Sequence, residues 1–266
     1  MTDPLARIAA ALERLSPPPP AAADPRAHRA YTWSGGVLAA ADMAAQPIDA
    51  LIGVDGQKAA LVANLRRLAG GHAAHDVLLW GARGTGKSAL VKASVAAVQD
   101  DGGNLALVEV AETGTLPMLF ANLGRIDRAW AVFVDDLGFD DAGDARALRS
   151  MLEGGAAARP ANARLLVTSN RRHLIPRDIA EQESAINPRD SIDDQLALAD
   201  RFGLSLGFHV VDQDSYLAIV ASYAARHGLA FDAGDAVQWA TRRGSRSGRV
   251  AWQYVVELAG RAGKAI

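Results

Sequence analysis

The chain has 266 residues and a formal net charge of −2; 50% of its residues are hydrophobic and 6% are aromatic. A chain of this length can bury a substantial core, and the near-neutral balance excludes a chain-wide basic surface of the kind that binds nucleic acid. Cysteine is absent, which excludes disulfides, thiolate nucleophiles and cysteine-ligated metals.

The N-terminal segment predicts a short helix followed by a linker. Apolar residues recur at helical spacing from Leu5 to Leu15, so residues 3–15 are expected to form an amphipathic helix. Four prolines at residues 17–20 end it, and the Pro/Ala-rich stretch that follows predicts a semi-rigid linker. We assign residues 1–46 to this helix and linker. Because the sequence has no signal-peptide pattern and no membrane-spanning stretch, we expect a cytoplasmic protein without a membrane partner.

The central part of the chain predicts an α/β domain. Short apolar runs alternate there with helical stretches, a pattern typical of a parallel sheet covered on both faces. The runs are residues 77–80, 105–110, 131–134 and 165–168, with residues 205–211 as a fifth candidate. We therefore predict a five-stranded parallel sheet sandwiched by helices within residues 47–211.

The last 55 residues have a different pattern. Residues 216–227, 233–242 and 250–261 read as three helices with no apolar strand between them. We therefore predict a small helical domain over residues 212–266, separate from the sheet.

Residues 81–88, Gly-Ala-Arg-Gly-Thr-Gly-Lys-Ser, match the phosphate-loop pattern G-x-x-x-x-G-K-[S/T]. The glycines allow backbone N–H groups to curl around phosphate oxygens, while Lys87 neutralises the β and γ charge and the Ser88 hydroxyl binds Mg²⁺. The loop lies between a predicted strand and a predicted helix, whose N-terminus adds a partial positive charge. We predict that the chain binds ATP and Mg²⁺. The nucleotide-binding residues assigned on this basis are Gly81, Arg83, Gly84, Thr85, Gly86, Lys87, Ser88 and Ala89.

Polar residues follow two further apolar runs. Asp135 and Asp136 come directly after residues 131–134, and we predict that Asp135 binds Mg²⁺ while Asp136 orients or deprotonates an attacking water. Asn170 follows residues 165–168, where ligands bind in open parallel sheets, and is a candidate for contacting the γ-phosphate or the attacking water. The alternatives are two acidic loop residues without a catalytic role and an asparagine that only caps a turn.

The order of these features resembles the AAA+ ATPases over about residues 47–260. It comprises a phosphate loop, an acid-ended strand, an asparagine-ended strand, an Arg-Phe pair and a helical tail. The resemblance implies that Ile52 and Gly53 lie on the adenine side of the nucleotide and that Asn170 is the first sensor residue. It also implies that the C-terminal helices form a lid over the nucleotide.

Two arginines match functional positions of that family. Arg201, in the sequence Asp-Arg-Phe-Gly-Leu, is similar to the arginine finger that reaches the γ-phosphate of a neighbouring subunit. Arg249 resembles the second sensor arginine of the lid, with Arg246 as the alternative. Arg177, Arg189 and Arg246 are the substitutes in these roles, and each arginine also has the alternative of a solvated surface charge or a phosphate-positioning group for nucleic acid.

A narrower resemblance is to an uncharacterised bacterial group of predicted ATP-binding AAA+ proteins, which carries a domain-of-unknown-function label. Residues 79–88, 168–176 and 200–204 carry this resemblance. One departure from the commonest AAA+ pattern is Asp136, where many members have glutamate. Asp-Asp pairs occur in the replication-initiator and helicase-loader branch. Because a misplacement near 1 Å costs on the order of 100-fold in rate, the shorter side chain predicts slow hydrolysis.

Two functional hypotheses follow. The first is an ATP-hydrolysing AAA+ protein that assembles as a hexamer or open ring and remodels an unidentified protein client, with Arg201 completing the site of the next subunit. The second is a slow ATP switch that acts as a loader or adaptor for a protein or nucleic-acid partner. Asp136, the tethered N-terminal helix and several exposed basic residues motivate it. The helical tail disfavours a third reading, a phosphate-loop kinase of small molecules.

Overall fold

The structure is a computed structural model of the chain. It describes residues 22–137, 159–170 and 200–266, together with Pro4, Leu5, Arg7, Leu148, Met151 and Leu152. The predicted helix over residues 3–15 lies largely outside the described residues.

Seven strands form one sheet in the described part of the chain. They are β1 (Ala30–Ser34), β2 (Val37–Ala41), β3 (Val77–Gly81), β4 (Leu105–Val110), β5 (Ala129–Val134), β6 (Ala163–Ser169) and β7 (Leu204–Phe208). Their order across the sheet is β2-β1-β4-β5-β6-β3-β7, and every neighbouring pair is parallel except β1 and β2. The predicted parallel α/β sheet is confirmed, but the predicted number of five strands is wrong.

The two additional strands form a hairpin within the segment that the sequence analysis assigned to a linker. Gly35 and Gly36 connect them with φ angles of 56° and 79°, the left-handed pair that a tight hairpin turn requires. Tyr31 and Trp33 point into the core, and β1 pairs in parallel with β4. The signal was a Gly-Gly pair between two short apolar runs. The sheet therefore begins at Ala30.

The structure gives the bounds of six α-helices, which surround or follow the sheet. They are α1 (Asp55–Ala69), α2 (Lys87–Asp100), α3 (Leu116–Leu123), α4 (Gln213–Arg226), α5 (Ala233–Arg242) and α6 (Gly248–Arg261). Short 3-10 helices cover Ile48–Ala50 and Thr113–Thr115. None of the helices in these described ranges is long and apolar enough to cross a bilayer.

Helices cover both faces of the sheet because side chains alternate between the faces along each strand. Leu79 of β3 packs in one cluster with Leu61 of α1 and Leu90 of α2. Its neighbour Leu78 packs in the opposite cluster with Leu119 of α3. The near-continuous apolar strands of the sequence therefore lie between two apolar layers.

The three C-terminal helices form their own core. Tyr216 and Val220 of α4 pack with Tyr254 and Val255 of α6 in a cluster that is separate from the two sheet clusters. Side chains cap all three helices, since Asp212, Asp232 and Ser247 each accept a hydrogen bond from a backbone N–H in the first turn. The three predicted helices of the tail are present.

Gly81 ends β3 at a point where β7 approaches too closely for a side chain. Its φ is 130°, and a Cβ atom built there would lie 2.0 Å from the Phe208 carbonyl oxygen. We expect Gly81→Ala to lower the free energy of unfolding by about 3 kcal/mol, since strained φ and overlap with backbone act together. Urea unfolding measures this loss. Gly114→Ala is the control, because its added Cβ meets nothing within 4 Å; equal stability of the two variants would contradict the prediction.

Candidate functional site

A cavity of about 680 Å³ lies between the carboxyl edge of the sheet and the C-terminal helices. The loop after β3, the polar residues after β5 and β6, the segment before α1, and α4 and α6 all contribute to its wall. The structure brings all the predicted site residues to this cavity except Gly81 and Arg201. Gly81 is the last residue of β3, at the point where the loop begins.

The loop after β3 has the backbone that its glycines predict. Gly84 and Gly86 have φ angles of 73° and 93°, which glycine adopts at little cost. The Thr85 hydroxyl donates to the Ala82 carbonyl oxygen at 2.8 Å and closes the loop. Helix α2 begins at Lys87, directly after the loop, so its unpaired N–H groups face the cavity wall. Such an arrangement attracts an anion.

Lys87 is buried inside the loop. Its ammonium donates to the carbonyl oxygens of Gly81 and Ala82 at 2.9 and 2.8 Å and to Asn170 Oδ1 at 2.9 Å. Burial lowers the pKa of this ammonium, and the negative charges of Asp136 and Asp135 oppose that effect. A positive charge is thus held in the wall of the cavity by acceptors that an anionic ligand can replace.

Asp135 lies opposite the loop and accepts two hydroxyl hydrogen bonds. Ser88 Oγ and Thr168 Oγ1 both donate to its Oδ1 atom, each at 2.6 Å. One carboxylate and one hydroxyl beside a phosphate site form a set that fits Mg²⁺, which keeps several waters and takes further oxygens from the phosphates. The sequence analysis did not include Thr168, although its place at the end of the strand that precedes Asn170 was a signal.

Asp136 has an unusual backbone and two side-chain partners. It is the non-glycine residue of the described ranges with a positive φ, 51°, a conformation that aspartate tolerates better than most residues. Its N–H donates to Thr168 Oγ1 at 2.8 Å. Its carboxylate accepts from Asn170 Nδ2 and pairs with Arg83 Nη2 at 3.5 Å. The carboxylate therefore points across the mouth of the loop.

The start of α6 lies directly on the phosphate loop. Ser247 is buried at the start of α6, and a Cβ atom at Gly84 would lie 3.0 Å from its Oγ atom. Arg249, in the first turn of α6, lines the cavity, whereas Arg246 does not and donates to Gln213 at 3.4 Å. Of these two arginines, Arg249 is therefore the one that lies at the cavity, and its role stays a prediction.

Apolar and aromatic residues also line the cavity. Ile52 and Gly53 line it from the segment before α1, as the resemblance implies for the adenine side. Tyr223 of α4 and Trp252 of α6 also line it, and their ring centroids are 5.6 Å apart at an angle of 84°. These two aromatic residues were not predicted, because their approach depends on how α4 packs against α6.

Arg201 lies away from the cavity of its own chain. Strand β7 runs parallel to β3, with Leu204 beside Val77 and Phe208 beside Gly81. At a rise of about 3.3 Å per residue, Leu204 lies roughly 13 Å before the phosphate loop, and Arg201 precedes it. The structure places Arg201 near the amino edge of the sheet. Arg177 and Arg189, its substitutes, lie outside the described residues.

Residues 26–262 match the model of the family described as "Protein of unknown function (DUF815)". No curated protein sequence matches the chain. Among solved structures, the Thermotoga maritima RuvB Holliday junction branch migration motor aligns over 82% of this chain and 66% of its own, with a TM-score of 0.52 and 16% identity. This chain therefore spans slightly less than two thirds of that protein.

Two further structures are similar. Domain III of the Thermotoga maritima replication initiation protein DnaA aligns over 83% of this chain and 91% of its own, with a TM-score of 0.50 and 12% identity. The Aeropyrum pernix Orc1 protein, solved in complex with DNA, aligns over 80% of this chain and 61% of its own, with a TM-score of 0.53 and 17% identity. At these identities the likeness concerns the fold. The chain belongs to the DUF815 family, and its fold is that of the AAA+ P-loop ATPases.

Proposed function

We propose that this protein is a Mg²⁺-dependent ATP hydrolase whose nucleotide site is completed by a neighbouring copy and whose turnover drives conformational remodelling of a client. The observation that carries this proposal is the meeting of Lys87, Ser88, Asp135, Asp136 and Asn170 at one cavity beneath a helical lid. Lys87 supplies a positive charge from the start of α2, and Asp135 and Asp136 supply two negative charges from the end of β5. The AAA+ fold of the chain supports the same activity.

The residues divide the chemistry between them. Lys87 and the N-terminus of α2 bind the β- and γ-phosphates, and Ser88 with Asp135 holds Mg²⁺, which when bound neutralises phosphate charge. Asp136 orients a water molecule and accepts its proton as the water oxygen bonds to the γ-phosphorus. The bond from that phosphorus to the bridging oxygen breaks, and ADP and phosphate leave. Asn170 contacts the water or the γ-phosphate.

Arg201 is the residue that we assign to a neighbouring site. Its position near the amino edge of the sheet is too distant for it to act on the nucleotide of its own chain. A second copy that packs this edge against the open mouth of the cavity brings an arginine to the γ-phosphate, where it stabilises transition-state charge. The protein then assembles as a hexamer or open ring.

The contact between the lid and the loop offers a route from hydrolysis to movement. Ser247 packs on Gly84, and Arg249 lines the same cavity from α6. Hydrolysis from ATP to ADP therefore changes the contacts between the nucleotide and the lid. The lid can then move, together with the surfaces that it presents to neighbouring copies and to a protein client.

The assembly is tested with Arg201→Ala. We expect the variant to lose about 10³-fold in hydrolysis rate, the scale of an arginine finger, while Arg66→Ala, an exposed arginine paired with Asp101, stays at the wild-type rate. Light scattering with ADP and with a non-hydrolysable ATP analogue is expected to show a larger mass with the analogue. A monomer in both states, together with unchanged hydrolysis in Arg201→Ala, would overturn the assembly.

Mixing two inactive variants gives a sharper test of sharing. Arg201→Ala retains an intact Asp136, and Asp136→Asn retains an intact Arg201. If one site uses residues of two copies, the mixture regains activity at the interface where both are intact. A mixture as inactive as its components would place both residues in the same chain's site.

A slow ATP switch that loads or adapts a partner is the second candidate. A basic segment at the end of α5 favours it. Arg242 and Arg243 donate to the amide oxygens of Gln238 and Gln253, and the Arg243 guanidinium lies over the Trp239 ring, so the contacts given for these two arginines in the described residues are to neutral groups. The similar DnaA and Orc1 structures are, by their descriptions, a replication initiation protein and a protein in complex with DNA. Abolished cellular function in Asp136→Asn with ATP binding intact would exclude the switch.

A further inference from the structure

Arg83 occupies the third position of the phosphate loop, where the motif itself demands no particular residue. Its side chain is 75% exposed, and its Nη2 atom lies 3.5 Å from Asp136 Oδ2. The other carboxylate oxygen of Asp136 accepts from Asn170 Nδ2. Both oxygens of the proposed water-activating carboxylate are therefore engaged by side chains.

These contacts form one chain of polar groups across the cavity. Lys87 donates to Asn170 Oδ1, Asn170 donates to Asp136, and Asp136 pairs with Arg83. Two cations thus stand at the ends, and one carboxylate is the anion between them. All four side chains line the cavity where the phosphates of a nucleotide would lie.

A terminal phosphate competes with Asp136 for the cations. It carries more charge than a carboxylate and offers three oxygens, and guanidinium groups bind phosphate through two parallel hydrogen bonds. An exposed ion pair such as that of Arg83 and Asp136 contributes little stability, so little opposes the exchange. The side chain of Arg83 is exposed enough to move without disturbing the core.

We propose that Arg83 exchanges Asp136 for the terminal phosphate of a bound nucleoside triphosphate and so determines the preference of this site for triphosphate over diphosphate. The exchange also frees one oxygen of Asp136, which then becomes available to the attacking water. The proposal rests on the proposed ATP-binding function of the same cavity. In it, the γ-phosphate is contacted by Arg83 of the chain's own loop as well as by the arginine that a neighbouring copy supplies.

The test compares the affinities of the 266-residue chain for ADP and for a non-hydrolysable ATP analogue, each with Mg²⁺, by titration calorimetry. Arg83→Ala is expected to weaken binding of the analogue about tenfold or more, the effect of a charge-assisted hydrogen bond, and to change ADP binding less than about twofold. Arg83→Lys keeps the positive charge but lacks the planar guanidinium, so its affinity for the analogue is expected to lie between those of the wild type and Arg83→Ala. Arg66→Ala, which also removes an exposed and ion-paired arginine, is the matched control.

The exchange of partners has its own measurement. In an Asp136→Asn background the carboxylate that holds Arg83 is absent, so Arg83→Ala is expected to cause the same loss of analogue affinity as in the wild type or a larger one. Disappearance of that loss would mean that Arg83 acts through Asp136 and does not touch the phosphate, which overturns the proposal.

The two proposals fail in different ways. Suppose that Lys87→Ala abolishes binding of both nucleotides, so that the nucleotide site itself stands. If Arg83→Ala then weakens binding of the analogue and of ADP equally, or weakens neither, only the proposed role of Arg83 is refuted. Unchanged binding of both nucleotides in Lys87→Ala refutes the nucleotide site itself, and the role of Arg83 falls with it.

Discussion

Lys87→Ala is expected to weaken ATP binding by at least about 100-fold and to reduce hydrolysis below detection. The ammonium is buried in the loop with three hydrogen bonds to acceptors that surround the phosphate site. Each hydrogen bond from a charged donor contributes about 1.5–3 kcal/mol, so the loss of two phosphate contacts accounts for this effect. Titration calorimetry with an ATP analogue and a phosphate-release assay measure both quantities.

Lys92→Ala supplies the control on the same helix. Lys92 pairs with Glu109 at 3.0 Å on the outside of α2, away from the cavity. We expect its removal to leave nucleotide affinity unchanged and to alter stability by less than about 1 kcal/mol, as for other surface ion pairs. ATP affinity in Lys87→Ala within about threefold of the wild type would contradict the assignment of this cavity to phosphates.

Asp136→Asn is expected to reduce the hydrolysis rate by about 10²–10⁴-fold, the contribution of a general base, while ATP remains bound. Asparagine has the same shape and also tolerates the left-handed backbone that Asp136 adopts, so the fold should not change. Removing a negative charge beside the γ-phosphate favours ATP affinity, which we expect to stay equal or to rise. Single-turnover hydrolysis and equilibrium binding separate the two effects.

Asp101→Asn is the matched control for that variant, since Asp101 is also exposed and paired with an arginine, Arg66, but far from the cavity. We expect it to hydrolyse ATP at the wild-type rate. If Asp136→Asn retained the wild-type rate as well, the proton of the attacking water would have to go to another group, and the proposed mechanism would be wrong.

Local features of this protein were readable from its sequence. One contiguous segment contains the phosphate loop, the strand before it and the helix after it. Its apolar run predicts the strand, its glycines predict the loop conformation, and its lysine supplies the positive charge. The acids Asp135 and Asp136 could be placed because all parallel strands end at one edge. The roles of these residues stay predictions until the variants are measured.

Features that depend on pairing across the sheet were not readable. Thr168 meets Asp135 because β5 and β6 pair with Val134 beside Val167, which sets the next residues side by side. No local sequence pattern predicts the register between β5 and β6. The hairpin of β1 and β2 was missed for a related reason, because a strand that joins the sheet beside β4 is recognised by its partner more than by its own composition.

The sequence by itself determined which residues form the predicted phosphate loop, because eight consecutive residues contain the glycines, the lysine and the hydroxyl together. Only the tertiary structure decided which distant side chains join that loop. It placed Arg249 on the cavity and Arg201 away from it, and joined Lys87 to Arg83 through Asn170 and Asp136. The physical reason is that local conformation follows from neighbouring residues, whereas a shared site requires strand register and helix packing, which depend on the whole chain.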